Sequence, residues 1–194
     1  MSKLSRADLL PLEAYAKARP MLREQVIAHK KPRSIALGAH VTLIFEDSLT
    51  ISYQIQEMLR VERIFEEAGI QDELDAYNPL IPDGTNWKAT MLIEYPDVAE
   101  RQIMLARLKD IENKVWIQAE GQAKIYAIAD EDMERANEEK TSAVHFMRFE
   151  LDPATVGAVK AGAAIAIGID HAQYSVQIPA LPESSRSSLA NDLT

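Results

Sequence analysis

The sequence predicts an α+β fold: a mainly antiparallel sheet with packed helices and an N-terminal helical segment. Three observations point there. Helical and hairpin patterns do not alternate as successive βαβ units. Two pairs of β-rich runs, 34–45 and 114–129, are joined by short turns. The C-terminal third reads strand, helix, strand, strand rather than as repeated crossovers.

Ser5 followed by Asp8 resembles a capping box ahead of Leu9 and Leu10. Residues 12–29 follow helical spacing, with Pro20 expected to open a second helix at its first turn. Pro32 blocks further helix. Residues 34–37 and 41–45 form a hairpin around Gly38, Ala39 and His40. Asp47 or Ser48 can cap a helix over 49–68, for which Gly69 is a natural stop. A shorter helix follows at 71–77, then a loop over 78–86.

In the run 87–95, alternation places Trp87, Ala89, Met91, Ile93 and Tyr95 on one face. Pro96 and Asp97 start a helix bearing Met104, Leu105, Leu108 and Ile111 at 3.6 spacing. Residues 114–118 and 124–129 pair around Glu120 and Gly121, and the acid-rich stretch 130–140 is a helix or solvated loop. The strand 143–151 precedes Asp152 and Pro153, an N-cap with proline at the first helical position. Residues 163–169 are apolar on both faces, as a central strand requires, and the small face of Ala164, Ala166 and Gly168 suits a closely packed helix. Residues 174–178 return, and a serine-rich tail is expected to fray.

The 194 residues (21.7 kDa) suit one domain. Its parts are a basic helical segment at 1–33, an α+β body at 34–180 and a polar tail at 181–194. The chain has no cysteine, which excludes disulfides, thiolate chemistry and iron–sulfur ligation. Net charge is -9. The first 33 residues carry +5 and the remainder -14, so an acidic body argues against nucleic-acid binding. The basic segment is either a solvated helix face or a surface for acid on the same chain or on an acidic protein partner. A dock through those charges would weaken with salt, whereas Leu12, Tyr15, Leu22 and Val26 offer an apolar alternative. No membrane span or signal-peptide core is evident, which predicts a cytoplasmic protein.

Nucleotide-binding glycine loops, the G-x-S-x-G elbow, H-E-x-x-H and Glu-x-x-His are all missing from the sequence. Of four histidines, His29, His40 and His171 read as surface-structural. His145 shares a strand face with Ala143, Met147, Phe149 and Leu151, so it is expected inside, either hydrogen-bonded or serving as acid/base or metal ligand. On the helix 49–68, Glu62 and Gln54 fall within the apolar arc and Glu57 lies near its edge. An inward Glu62 needs a partner: a structural bridge or cap, or a functional role. The loop 78–86 offers Asn78, Asp83, Thr85 and Asn86 on a proline-stiffened backbone, to bind a ligand or to brace its own turns. Glu62 and His145 are expected to share one polar cavity, with that loop at its rim.

The strings Tyr53-Gln54-Ile55-Gln56-Glu57-Met58-Leu59-Arg60-Val61-Glu62-Arg63-Ile64-Phe65, Glu73 through Asn86 and Lys140-Thr141-Ser142-Ala143-Val144-His145-Phe146 resemble a bacterial domain-of-unknown-function family, number 3501. The likeness runs from Leu4 to about Pro179 and brings no activity, cofactor or catalytic residue. It implies a genetic setting beside rubrerythrin-like and iron–sulfur oxidoreductase genes. The functional expectation is therefore a small-ligand- or metal-ion-binding protein accessory to a redox pathway. Two alternatives stand beside it: an interaction module docking through its N-terminal helices, and an enzyme using Glu62 and His145 as an acid/base pair.

Overall fold

The computed structural model describes residues 3–131 and 140–194; of the acid-rich stretch, 132–139 lie outside the described residues. The fold is α+β, as expected. Helix α1 (Leu12–Lys30) leads into the hairpin of β1 (Ser34–Leu37) and β2 (Val41–Phe45). Helices α2 (Ser48–Glu62) and α3 (Glu67–Tyr77) follow, then β3 (Asn86–Ile93) and α4 (Val98–Arg107). The rest is β4 (Val115–Ala119), β5 (Ile125–Tyr126), β6 (Ile128–Ala129), β7 (Val144–Glu150), α5 (Pro153–Lys160), β8 (Ile165–His171), β9 (Tyr174–Ile178) and α6 (Glu183–Ala190).

Two antiparallel sheets carry the core. Their orders are β1-β2-β3-β7-β6 and β5-β4-β8-β9. Alternation puts Leu43, Phe45, Trp87, Met91, Met147 and Phe149 inward from the first sheet, where they join Ile117, Ile165, Ile167 and Ile169 of the second in one cluster. Strands β5 and β6, separated by Ala127, hand the chain from one sheet to the other. At the other edge Tyr174 Oη donates to the Leu37 carbonyl (2.6 Å) and accepts from the His40 amide (3.1 Å). Gly38 sits there at φ +74°, and a Cβ on it would come 2.6 Å from that hydroxyl.

A second apolar cluster lies among the helices: Leu9, Ile51, Ile55, Leu59, Ile70, Leu74 and Ile81. Ser5 and Asp8 form the expected box, with the Asp8 carboxylate accepting from the Ser5 amide and hydroxyl. Asp47 caps α2 by accepting from the Leu49 and Thr50 amides, and Asp152 caps α5.

Four expectations are corrected. Pro20 does not start a new helix; it lies on the exposed side of an unbroken α1, where water can solvate the carbonyl that it cannot pair. Helix α2 stops at Glu62 rather than at Gly69, because Arg63 turns left-handed (φ 57°) and the Ile64 amide bonds back to the Leu59 carbonyl. That stop folds Ile64 against the helical cluster. The small face of β8 meets no helix: at Gly168 it is covered by Trp116 of β4, to whose ring an added Cβ would come within 2.5 Å, and Ala164 and Ala166 line a recess with Gln118 and Pro179.

The tail is the fourth. Residues 181–194 are built into the body, with Leu181, Leu189 and Leu193 buried. Trp87 Nε1 donates to the Leu189 carbonyl (2.9 Å), and Asp192 pairs with the buried Arg33 (2.6 Å).

Candidate functional site

The outward face of the first sheet is the floor of a cleft roofed by the helical layer. Register aligns Ile44, Thr90 and Phe146 in one cross-strand row, and Lys88 with Arg148 in the next. Pro79 and Leu80, in the turn after α3, overhang this floor and divide it into two recesses. One, of about 300 Å³, is lined by Pro79, Leu80, Lys88, Phe146 and Arg148 among others. The other, of about 250 Å³, includes Lys30, Glu46, Gln54, Tyr77 and Thr90. Leu80 and Phe146 line both, so the two recesses adjoin.

The walls are apolar, but several polar groups are unengaged. The side chains of Lys30, Gln54, Tyr77 and Lys88 make no hydrogen bond or ion pair with any described residue. Burial lowers the Lys88 ammonium pKa from its ordinary value, and nearby Arg148 adds to the effect against the pull of Glu131, Asp83 and Glu150. Those three carboxylates are committed elsewhere. Glu131 holds Arg148 through both oxygens (2.8 Å each) and Glu150 also bonds Arg148. Asp83 takes the Thr85 amide and hydroxyl and the Asn86 amide. Glu46 is 8% exposed, and its Oε1 accepts from Thr90 (2.7 Å).

His145 lies elsewhere. It is fully buried on the inward face of β7, as its alternation predicts. Its Nδ1 is 2.5 Å from Asp130 Oδ2, and its Nε2 is 2.9 Å from Thr141 Oγ1 and 3.1 Å from the Ser142 carbonyl. Thr141 in turn donates to Glu112 (3.0 Å). Glu62 is exposed at the end of α2. Together with burial, it raises the pKa of Glu73 on α3. The expected inward Glu62 is therefore corrected, and with it the shared cavity: the early stop at Arg63 leaves that carboxylate in water. The Glu62/His145 acid/base pair does not assemble.

The other predicted residues divide. Gln54 lines the cleft. Glu57 receives Tyr15, Arg19 and Arg60, and the Arg19 hydrogen bond leads in holding its pKa down at about 2. Asn78 clasps the backbone of Leu4 through both ends of its amide. Asp83, Thr85 and Asn86 chiefly brace one another, while burial, which would raise the Asp83 pKa, is outweighed by the Thr85 and Asn86 bonds. Sequence reasoning missed Glu46, Lys88, Thr90 and Tyr77. Alternation does place Lys88 and Thr90 opposite Trp87 and Ala89, but only the helical layer turns that outward face into a cleft.

The basic segment is engaged within the chain as well. Arg19 pairs with Glu57 (2.7 Å), His29 with Asp47 (2.5 Å), and Tyr15 and Val26 are buried. The Glu57 cluster makes a pH prediction. Its carboxyl is depressed on folding, so its stabilisation is present above the ordinary glutamate value of 4.5 and is lost as pH falls through about 2. Glu57→Gln is expected to cost about 1–3 kcal/mol at pH 7 and to flatten the acid limb of a urea-melt series. An unchanged limb would contradict that assignment.

The family model described as "Protein of unknown function (DUF3501)" matches residues 3–193. Curated proteins give no match. The chain is similar to the crystal structure of a protein of unknown function from Burkholderia pseudomallei K96243, with 53% identity, a TM-score of 0.95 and 100% of both chains covered. Among the described residues no helix is long and apolar enough to cross a membrane. By the near-complete match to the family model, the chain belongs to the DUF3501 family.

Proposed function

We propose that this protein binds a small, partly apolar organic ligand in the cleft between its helical layer and the first sheet. One observation carries the reading: two adjoining, mainly apolar recesses are lined by Lys88 on one side and by Lys30, Gln54 and Tyr77 on the other, whose side chains make no hydrogen bond or ion pair with any described residue. Ligand sites combine apolar walls with a few polar groups in this way. Among the described residues no group of three His, Asp or Glu side chains is arranged for a metal ion, which favours an organic ligand over a metal ion. An accessory place beside a redox pathway is part of the proposal and rests on the family resemblance alone.

The test is a thermal-shift screen of small apolar acids, amines and amino acids. A true ligand at a hundred times its dissociation constant adds about 2.7 kcal/mol, which moves Tm by roughly 5–10 °C in a chain this size. Leu80→Trp fills the junction of the two recesses and is expected to abolish the shift while leaving the ligand-free Tm within a few degrees. A shift that survives in Leu80→Trp would place the ligand elsewhere.

A second reading, an interaction module, has one observation in its favour. Val61 and Phe65 are 63% and 70% exposed, and Phe65 borders a recess of about 250 Å³ lined also by Arg6, Leu10 and Ile64. Phe65→Ser would remove a protein partner docked there and leave small-ligand binding intact.

A further inference from the structure

Glu46 is the group in the cleft whose position is hardest to explain as structure. It is 8% exposed, yet its carboxylate has no cation within ion-pair distance among the described residues. Its single side-chain hydrogen bond, from Thr90 Oγ1, goes to Oε1 (2.7 Å). Oε2 has no donor. Nor is it sealed in, since the fully enclosed side-chain atoms without a hydrogen bond among the described residues are Arg6 Nε and Trp116 Nε1.

A largely buried carboxylate without a counter-charge is costly. The structure needs the Glu46 backbone: its amide donates to the Lys88 carbonyl (2.8 Å) and its carbonyl accepts from Arg33 (3.0 Å). Neither bond involves the side chain. Lys88, its neighbour across the β2–β3 pairing, holds an unengaged ammonium on the same floor, and Lys30 lines the same recess as Glu46. Among the described residues the cleft thus presents one carboxylate and two ammonium groups without an ion-pair partner, around Ile44, Ile51, Leu80 and Phe146.

A simple cation would gain from Glu46 but be repelled by the two lysines; a simple anion would meet the reverse. A molecule carrying both charges on an apolar body satisfies all three groups.

We propose that the cleft recognises a zwitterion with an apolar body, an amino acid with a large apolar side chain being the simplest case. The ligand ammonium bonds Glu46 Oε2, its carboxylate is held by Lys88 or Lys30, and its side chain rests on Leu80 and Phe146. This assignment rests on the cleft being a ligand site, and it names the class of ligand.

The test is calorimetric titration with four probes of one apolar shape: L-phenylalanine, phenethylamine, 3-phenylpropanoate and 2-phenylethanol. L-Phenylalanine is expected to bind tightest, by about tenfold over each single-charge probe, as one charge-assisted hydrogen bond contributes. Glu46→Gln keeps the shape and the Thr90 acceptor but removes the charge. It should weaken L-phenylalanine and phenethylamine about tenfold and leave 3-phenylpropanoate unchanged. Of Lys88→Met and Lys30→Met, at least one should weaken 3-phenylpropanoate and L-phenylalanine, and both should spare phenethylamine; if neither weakens them, the zwitterion assignment is overturned. If 2-phenylethanol binds as tightly as L-phenylalanine, the zwitterion assignment is overturned while the cleft remains a ligand site. If no probe binds, both readings fall.

Discussion

Arg33→Met is expected to destabilise the protein by about 3–5 kcal/mol. Arg33 is 1% exposed and reaches three parts of the chain. Its guanidinium is bidentate to Asp192 (2.6 and 3.2 Å), donates to the carbonyls of Phe45 and Glu46, and lies 3.5 Å from Asp47. Burial raises the Asp192 pKa and Arg33 opposes it. At Asp47, burial pushes up but Arg33, Thr50 and His29 outweigh it, so its pKa is lowered. Removing the guanidinium leaves Asp192 buried without its ion-pair partner, frees the carbonyls of Phe45, Glu46 and Ser188 and takes away one of the anchors of the C-terminal residues. Asp192→Asn should cost less, because an amide oxygen still accepts from Arg33. Urea melts at pH 7 measure both, and an Arg33→Met midpoint near wild type would contradict this account of the C-terminal anchor.

His145→Ala is the second large effect, at about 2–4 kcal/mol. The ring is fully buried and both nitrogens face oxygens, from Asp130 on one side and from Thr141 and Ser142 on the other. These partners lie on the two approaches to residues 132–139, so the imidazole ties both to β7. A His145 sharing one polar cavity with Glu62 would make His145→Ala alter ligand or metal binding more than stability. The geometry reverses it: the Tm should fall by roughly 5–15 °C while cleft ligands keep their affinity in folded protein. A variant with native Tm and lost binding would return His145 to the functional site.

What could be read from the sequence was local. The inward sets of β3 and β7 follow from strict alternation, and the Asp47 and Asp152 caps follow from residue type at a helix start. The failures came where long-range packing or an unsignalled backbone state decides. Nothing in Arg63 announces a left-handed stop, so the sequence pattern carries α2 six residues too far and sets Glu62 on a buried arc that it does not join. The serines of 184–188 masked Leu181, Leu189 and Leu193, whose burial depends on Trp87 and on Arg33, 159 positions from Asp192. Lys88 and Glu46 sit on strand positions that would be ordinary solvent-facing charges had no helical layer been packed over them.

The most direct measurement of the central claim, that the cleft is a site for an apolar zwitterion, is an amide-resolved NMR titration of the full chain with L-phenylalanine. The account predicts saturable shifts at Leu80, Lys88, Thr90 and Phe146, lost in Leu80→Trp, with His145 and Glu62 unmoved. Saturable shifts confined to Phe65 and its neighbours, or none at the cleft up to millimolar ligand, would contradict it.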